Sequence, residues 1–117
     1  MEGGERAMRT LLQQPQPPTA VATRTDTLAA GALRAAHRLG VRVPEDVSIV
    51  GHDDVPFATV VEPPLTTVRV DCARLGEAAA EMLLHLLDGS DTAPAPRIVP
   101  TTLVMRETVI APNTQAK

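Results

Sequence analysis

The sequence predicts an α/β fold in which helices flank a parallel sheet. Short apolar runs that are typical of strands alternate along the chain with segments of helical periodicity. Two of these runs, "TAVAT" at 19–23 and "VSIVG" at 47–51, are nearly continuous in apolar residues. Such runs indicate strands that are buried on both faces. Strand–helix–strand order with strands of this kind favours parallel pairing.

The composition is that of one globular domain. The chain has 117 residues, of which 44% are hydrophobic, and its mean hydropathy is +0.01. No apolar run approaches the ~18 residues that a membrane helix needs. No apolar segment follows the first basic residues, so we expect no signal peptide. Cys72 is the single cysteine, which excludes an internal disulfide. These features favour a cytoplasmic protein.

The charge and the aromatic content argue against nucleic-acid binding by this chain. The 11 basic residues are outnumbered by 14 acidic ones, and the net charge is −3. A basic footprint for phosphates is therefore absent. One Phe, no Trp and no Tyr leave no platform on which bases could stack. We therefore assign no DNA-binding residue here and expect a core of Ala, Val, Leu and Ile.

Helical periodicity marks two segments in the first third of the chain. The spacing of apolar residues predicts a helix over 4–13, which "PQPP" at 15–18 stops because proline lacks an amide donor. A second helix is predicted over 26–39. Gly40 is expected to end it, since glycine adopts the left-handed backbone of a helix C-cap.

A loop and a third strand follow the "VSIVG" strand. We expect residues 52–64 to form a loop that contains one helical turn near 56–59. "LTTVRV" at 65–70 is the third predicted strand.

The last third of the chain holds the strongest periodic signal. Asp71 is predicted to cap a long helix that ends at Gly89. Its apolar stripe follows 3-4-3-4 spacing: Cys72, Leu75, Ala79, Met82 and Leu86. "SDTAPAP" at 90–96 is predicted to be a flexible connector. The segment 97–110 is predicted as strand, broken by Pro100.

Polar residues follow the first two predicted strands. Thr25 and Asp26 come after the first, and Asp53 and Asp54 after the second. In open parallel sheets, ligands bind beyond the carboxyl ends of the strands. Along an extended segment, Asp53 and Asp54 would point in opposite directions. One could then face a cleft while the other serves the loop.

Each of these side chains has a structural role as its alternative. Asp53 is predicted to anchor a ligand, because a carboxylate can accept two hydroxyl hydrogen bonds, or else to cap the following turn. Asp54 is predicted to be structural, since Asp often accepts from nearby backbone amides in turns. Thr25 and Asp26 are predicted to cap the second helix, and either could also contact the ligand.

Catalytic chemistry finds little support in the sequence. Three adjacent residues such as His52, Asp53 and Asp54 cannot converge on one metal ion without a sharp bend, and no second His or Cys cluster supports them. Adjacent carboxylates rarely face one bond as an acid/base pair. Cys72 opens an apolar stripe, which favours a packing thiol. Nucleotide-binding and hydrolase motifs are absent. We expect no enzyme, no metal and no cofactor.

One long stretch resembles a known family. "RVPEDVSIVGHDDVPFATVVEPPLTTVR" at 42–69 is similar to the hallmark segment of the lactose-repressor/galactose-repressor (LacI/GalR) family of bacterial transcription regulators. The neighbouring stretches agree in order: 17–40, 71–89 and 97–112. The resemblance implies a partial periplasmic-binding-protein-like (type I) sensor fold, with a small effector, often a sugar, between two lobes.

The resemblance also implies a role and a boundary. Residues 1–112 would be the C-terminal portion of a LacI-type effector-binding domain, truncated at its N-terminal side, and 113–117 a disordered tail. We expect the effector-sensing and dimerising part of a regulator, a repressor responding to a sugar or similar molecule. It would form a homodimer and reach operator DNA only through a helix-turn-helix that this sequence lacks. A DNA-free sugar-binding module or a non-functional fragment is the alternative.

The family positions add two ligand candidates. By resemblance, Val70 and Cys72 lie at the crossover between lobes and could contact the effector, with packing between the lobes as the alternative. Arg69 would brace the crossover. His52 stands where the family usually has Tyr or Phe, Thr25 where it usually has Asn, and Cys72 where several members have an aromatic. The predicted ligand set is therefore Asp53, Thr25, Asp26, Val70 and Cys72.

Overall fold

Helices and strands alternate along the chain in the predicted order. The computed structural model describes residues 1–88 and 94–111. Its elements are α1 (Glu2–Leu12), β1 (Ala20–Ala22), α2 (Asp26–Arg38), β2 (Ser48–Asp53), a 3-10 turn (Pro56–Thr59), β3 (Thr67–Arg69), α3 (Cys72–Leu87) and β4 (Thr102–Val104). None of the helices in these two ranges has the length and hydropathy that a membrane crossing requires.

The strands form one sheet in the order β1-β2-β3-β4. β1 runs parallel to β2, with Val21 opposite Ile49, and β2 runs parallel to β3, with Asp53 opposite Arg69. The predicted parallel pairing is therefore confirmed for these three strands. Because parallel strands share a direction, their carboxyl ends meet at one edge of the sheet.

The chain divides into two units. The main unit contains Met1–Arg69 and Leu103–Lys117, and the second unit contains Val70–Thr102. The predicted site residues that follow β1 and β2 belong to the main unit. Val70 and Cys72 belong to the second unit.

The core of the main unit is built from small and medium aliphatic side chains, as the composition predicts. Close approach of α1 and α2 depends on glycine: a Cβ atom on Gly31 would lie 2.1 Å from the carbonyl oxygen of Met1. Small residues on facing helices let the backbones approach, which compensates for the lack of aromatic volume. The buried cluster consists of Met8, Ala29, Ala32, Leu33, Ala35, Ala36, Val47, Ile49, Ala58 and Leu65.

Both ends of α2 are capped by residues that the sequence analysis predicts. Thr25 is the N-cap, and its Oγ1 accepts from the amide of Leu28 at 3.3 Å. At the other end Gly40 has φ +69°, and the amide of Val41 donates to the carbonyl of Ala36 at 3.0 Å. This is a Schellman-type end, in which a left-handed residue lets later amides reach back to the last carbonyls.

The second unit contains α3, whose apolar side chains are largely uncovered. Asp71 caps the helix as predicted, because its Oδ1 accepts from the amide of Arg74 at 3.0 Å. No residue of α3 is buried. The exposed fractions are 51% for Leu75, 57% for Leu83, 60% for Leu84, 51% for Leu86 and 70% for Leu87. The predicted helix end at Gly89 lies outside the described residues.

The closing strand is shorter than predicted. Of the segment 97–110, only Thr102–Val104 is strand. Pro100 cannot donate to a ladder, which removes the first part of the prediction. Residues 105–110 bond irregularly instead: the amide of Ile49 donates to the carbonyl of Thr108 at 2.8 Å. Residues 90–93 of the predicted connector and the predicted tail 113–117 lie outside the described part of the chain.

Candidate functional site

Asp53 is the accessible carboxylate at the end of β2. Its side chain is 43% exposed, and its Oδ1 lies 3.0 Å from Nδ1 of His52. Its backbone φ is +109°, a region that residues with a Cβ rarely adopt. Non-glycine residues persist in such conformations only where the surroundings hold them there, and functional sites are a common place for them.

Asp54 is turned into the protein and is held by two arginines. Nη2 of Arg106 donates to its Oδ1 and Nε of Arg69 donates to its Oδ2, each at 2.6 Å. The side chain of Asp54 is only 8% exposed. Burial by itself would raise the pKa of Asp54, but the hydrogen bonds and charges of Arg106 and Arg69 outweigh it and lower the pKa below 3.8.

The predicted structural role of Asp54 is confirmed, but its partners differ from those expected. The sequence suggested backbone amides, whereas the structure shows two guanidinium groups. Arg69 forms this ion pair with Asp54, whereas the bracing of the crossover that the resemblance implies for it stays a prediction.

The reason given for the opposite directions of Asp53 and Asp54 is wrong. Simple alternation along an extended strand was expected to separate them. Asp54 has φ +54° and Asp53 +109°, so the backbone turns through the left-handed region at both residues. The turn, and the pull of Arg106 and Arg69 on Asp54, separate the two carboxylates.

Asp26 is fully buried and joins three elements of the main unit. Its Oδ2 accepts from the amide of Val55 at 2.9 Å, and its Oδ1 accepts from the hydroxyl of Thr67 at 2.5 Å. Its exposed fraction is 0%. The prediction that Asp26 caps α2 with its side chain is wrong, because Thr25 does so. Asp26 instead connects the start of α2 to the loop after β2 and to β3.

Gly51 leaves the space that Asp26 occupies. A Cβ atom on Gly51 would lie 2.1 Å from Oδ1 of Asp26 and 2.9 Å from Cδ2 of Leu65. No side chain fits there without displacing the carboxylate. A glycine inside a predicted strand is the sequence signal for such a close approach.

Thr25 lies at the end of β1, beside the same edge. It is half-buried, and its hydroxyl oxygen is engaged by the amide of Leu28. Its neighbour Thr23 donates to the carbonyl of Val50 at 3.2 Å, which ties the end of β1 to β2. Thr25 therefore has a structural role, and its contact with a ligand stays a prediction.

Val70 and Cys72 lie in the second unit. Val70 is half-buried, and Cys72 is an exposed free thiol at the first position of α3. Their predicted ligand contacts stay predictions.

The sequence analysis did not identify Arg106 and Thr108, which form hydrogen bonds on the buried side of the site. Arg106 donates through Nη1 to the carbonyl of Leu65 at 2.7 Å, besides its bond to Asp54. Thr108 is buried, donates to the carbonyl of Ile49 at 2.6 Å and accepts from the amide of Thr66 at 2.9 Å. The partners in these bonds are 41, 42 and 59 positions apart, so no local pattern reveals them. Thr66 and Thr67 inside an apolar strand are the one available signal, since buried hydroxyls need partners.

The edge of the sheet thus has one accessible acceptor group and two committed carboxylates. Asp53 is exposed and can accept from outside, whereas each carboxylate oxygen of Asp26 and Asp54 already accepts from a donor of the chain. Within residues 1–88 and 94–111, no three His, Cys, Asp or Glu side chains are placed to hold a metal ion. The arrangement suits hydrogen bonding to a ligand that carries hydroxyl donors.

Comparison with known sequences gives a consistent result. Residues 1–109 match the family described as the periplasmic binding protein-like domain. The transcriptional repressor CytR of Escherichia coli K12 is 40% identical over 105 residues, or 90% of this chain. The lactose operon repressor of the same organism is 38% identical over 115 residues, or 98% of this chain. The chain spans 31% of the length of each relative.

Comparison with solved structures agrees with the fold. A LacI transcriptional regulator from Bacillus cereus superposes with a TM-score of 0.90 at 33% identity, over 96% of this chain and 40% of the other. The complex of the regulator CelR with cellobiose superposes with a TM-score of 0.84 at 36% identity, over 92% and 33% respectively. A lac repressor dimer bound to operator and the anti-inducer ONPF gives 0.85 at 34% identity, over 94% and 38%.

Proposed function

Because this chain belongs to the family of periplasmic binding protein-like domains and is a sensor domain of the LacI/GalR type, we propose that it senses the effector of a transcriptional regulator. The effector is a sugar or a similar polyhydroxylated molecule. Residues 1–112 are then the C-terminal portion of the sensor domain.

The observation that carries this proposal is a difference in exposure among the three carboxylates at this edge of the sheet. Asp26 and Asp54 are buried and hold the loop after β2, whereas the side chain of Asp53 is 43% exposed. A charged acceptor that is fixed at the carboxyl edge of a parallel sheet is suited to a hydroxyl-rich ligand. Hydrogen bonds to charged groups contribute roughly 1.5–3 kcal/mol each.

Each predicted ligand residue of the main unit has a role in this proposal. Asp53 accepts hydroxyl hydrogen bonds directly. Asp26 acts through the loop, because its own oxygens are buried and engaged by Val55 and Thr67. Thr25 supplies a further contact within the main unit, and the contacts of Val70 and Cys72 with a ligand stay predictions from the sequence.

The partners follow from the same proposal. The relatives are repressors by name, and one of the solved relatives is a dimer bound to operator. We propose a homodimer that reaches operator DNA through a helix-turn-helix outside the 117 residues. The proposed role is regulatory and cytoplasmic, and it involves no catalysis.

Calorimetric screening of a two-lobed protein, the lactose operon repressor carrying this chain in place of its matching stretch, against mono- and disaccharides including cellobiose tests the sensing role. The account predicts saturable binding of one or more sugars and no binding of the same sugar with its hydroxyl groups methylated, because Asp53 needs hydroxyl donors. Equal binding of the methylated sugar would contradict the proposed mode of recognition.

A chimera tests the regulatory role. In it, this chain replaces the matching 115-residue stretch of the lactose operon repressor. The chimera is expected to bind lac operator DNA and to change its operator affinity when the sugar found by calorimetry is added. A chimera that binds operator and sugar independently of each other would support a DNA-free binding module instead.

A further inference from the structure

We propose that His52 is a positioning residue for the Asp53 carboxylate, and that its ring presents a second acceptor to the same ligand. This proposal rests on the ligand role proposed for Asp53. In the LacI/GalR family the position of His52 usually holds Tyr or Phe, and neither side chain has an imidazole ring. The proposal therefore assigns a function to the residue that differs from the family here.

The geometry places the imidazole against one carboxylate oxygen only. Nδ1 of His52 lies 3.0 Å from Oδ1 of Asp53, which is the ordinary length of a hydrogen bond from nitrogen to oxygen. The two side chains are 41% and 43% exposed, so the pair faces solvent on its remaining sides. Oδ2 of Asp53 accepts from no donor among residues 1–88 and 94–111.

This contact selects one form of the ring. A carboxylate oxygen can only accept, so the nitrogen facing it must carry a proton. The neutral ring is therefore the Nδ1–H tautomer, and its Nε2 atom carries a lone pair. Together, Oδ2 of Asp53 and Nε2 of His52 form a pair of acceptors, which matches two hydroxyl donors on one ligand.

The contact also fixes the direction of the carboxylate. A partly exposed Asp side chain can rotate, and a ligand that binds it must immobilise it. A donor on Oδ1 holds the group before the ligand arrives and leaves Oδ2 free. Support of this kind keeps the binding group in its productive orientation, in addition to the bond that Nε2 offers to the ligand.

The other charged groups nearby are already paired. Arg69 lies opposite Asp53 in the sheet register, but its Nε is directed to Asp54. Arg106 is directed to Asp54 as well, and Asp26 is buried behind Gly51. Among the described residues, the His52 ring is therefore the group whose substitution should be felt by the Asp53 carboxylate.

Nuclear magnetic resonance of the labelled 117-residue chain tests this without any ligand. Ring nitrogen shifts are expected to show the Nδ1–H tautomer for the neutral ring of His52. At one fixed pH, the side-chain carboxyl carbon of Asp53 is expected to change its chemical shift in His52→Gln. The Nε2–H tautomer, or an Asp53 carboxyl signal that is unchanged in His52→Gln, would overturn the proposal.

Matched substitutions separate positioning from general packing. His52→Asn places a donor near the position of Nδ1, and His52→Gln places its amide near that of Nε2. With the sugar found by calorimetry, His52→Asn should retain more affinity than His52→Gln. His37→Gln and His85→Gln should leave the chemical shift of the Asp53 carboxyl carbon unchanged. Equal affinities in the two His52 variants would count against positioning.

The two proposals can fail separately. If the tautomer and the response of the Asp53 carboxyl signal to His52→Gln are found but no sugar binds, the pair exists and the proposed sensing role is wrong. If a sugar binds and requires Asp53, but the Asp53 carboxyl signal does not change when His52 is substituted, the sensing role stands and His52 has no part in it.

Discussion

Asp54 and Arg106 are 52 positions apart in the chain, yet Oδ1 of the carboxylate lies 2.6 Å from Nη2 of the guanidinium. This pair fastens the loop after β2 to the segment after β4. Because Asp53 immediately precedes Asp54, the same pair fixes the backbone that presents the proposed ligand anchor.

Asp54→Asn is expected to lower the free energy of unfolding by about 1–3 kcal/mol, because it removes the charged partner of a largely buried arginine. Arg69 contributes little to this loss, since it is 57% exposed and screened by solvent. Urea denaturation of both proteins gives the difference. Asp46→Asn is the control, because Asp46 forms an exposed pair with Arg42 and should change stability much less. Equal losses in the two variants would contradict the account.

The same pair makes stability depend on acid. The pKa of Asp54 is lowered in the folded protein because the hydrogen bonds and charges of Arg106 and Arg69 outweigh the opposing effect of burial. A lowered pKa stabilises the fold fully above the unfolded-state value, near 3.8, and this contribution is lost as the pH falls below it. Wild type should therefore lose more stability below pH 3.8 than Asp54→Asn does.

Comparing the stability of wild type with that of Asp54→Asn separates the contribution of Asp54 from those of the other acidic residues. The hydrogen bond from Arg42 lowers the pKa of Asp46 to about 2, but this group is present in both proteins. Chemical denaturation at a series of pH values provides the measurement. Parallel stability curves for wild type and Asp54→Asn would show that Asp54 does not contribute.

Gly51→Ala is expected to destabilise the protein by about 1–3 kcal/mol, the range for an atom added to a filled interior. The new methyl group would meet Oδ1 of Asp26, which in turn holds Val55 and Thr67. Gly76→Ala is the control, since no atom lies within 4 Å of a Cβ placed on that glycine of α3. It should be neutral or stabilising by up to about 1 kcal/mol. Thermal unfolding of both variants decides between these outcomes.

The apolar face of α3 is expected to make the 117-residue chain self-associate. Leu83 is 57% exposed and Leu87 is 70% exposed, and contiguous apolar surface of this kind favours association. Light scattering should give a mass above that of a monomer. The double substitution Leu83→Gln and Leu87→Gln should lower that mass, whereas Glu77→Gln should not. A sharp monomer peak for wild type would refute this expectation.

Local patterns were sufficient to predict most elements. The cap at Thr25, the left-handed end at Gly40 and the cap at Asp71 each depend on residues within a few positions of one another. The parallel pairing followed from continuous apolar runs, such as the one that became β2. Such features are encoded by short segments, so the sequence alone displays them.

The interior of the site could not be predicted in this way. The partner of Asp54 is Arg106 and that of Asp26 is Thr67, each more than 40 positions distant. The positive φ of Asp53 also depends on these tertiary contacts, because an isolated extended segment would not adopt it. Distant hydrogen bonds therefore decided which carboxylate is exposed.

Calorimetric titration of the bound sugar into the two-lobed chimera, with and without Asp53→Asn, tests the central claim most directly. Asparagine keeps the shape of the side chain but loses its charge, so affinity should fall by roughly 1.5–3 kcal/mol, which is about tenfold to hundredfold. Asp54→Asn should nearly retain the wild-type affinity while it lowers stability. Wild-type affinity in Asp53→Asn would contradict the assignment of Asp53 as the anchor, and a selective loss in Asp54→Asn would transfer that role to the other carboxylate.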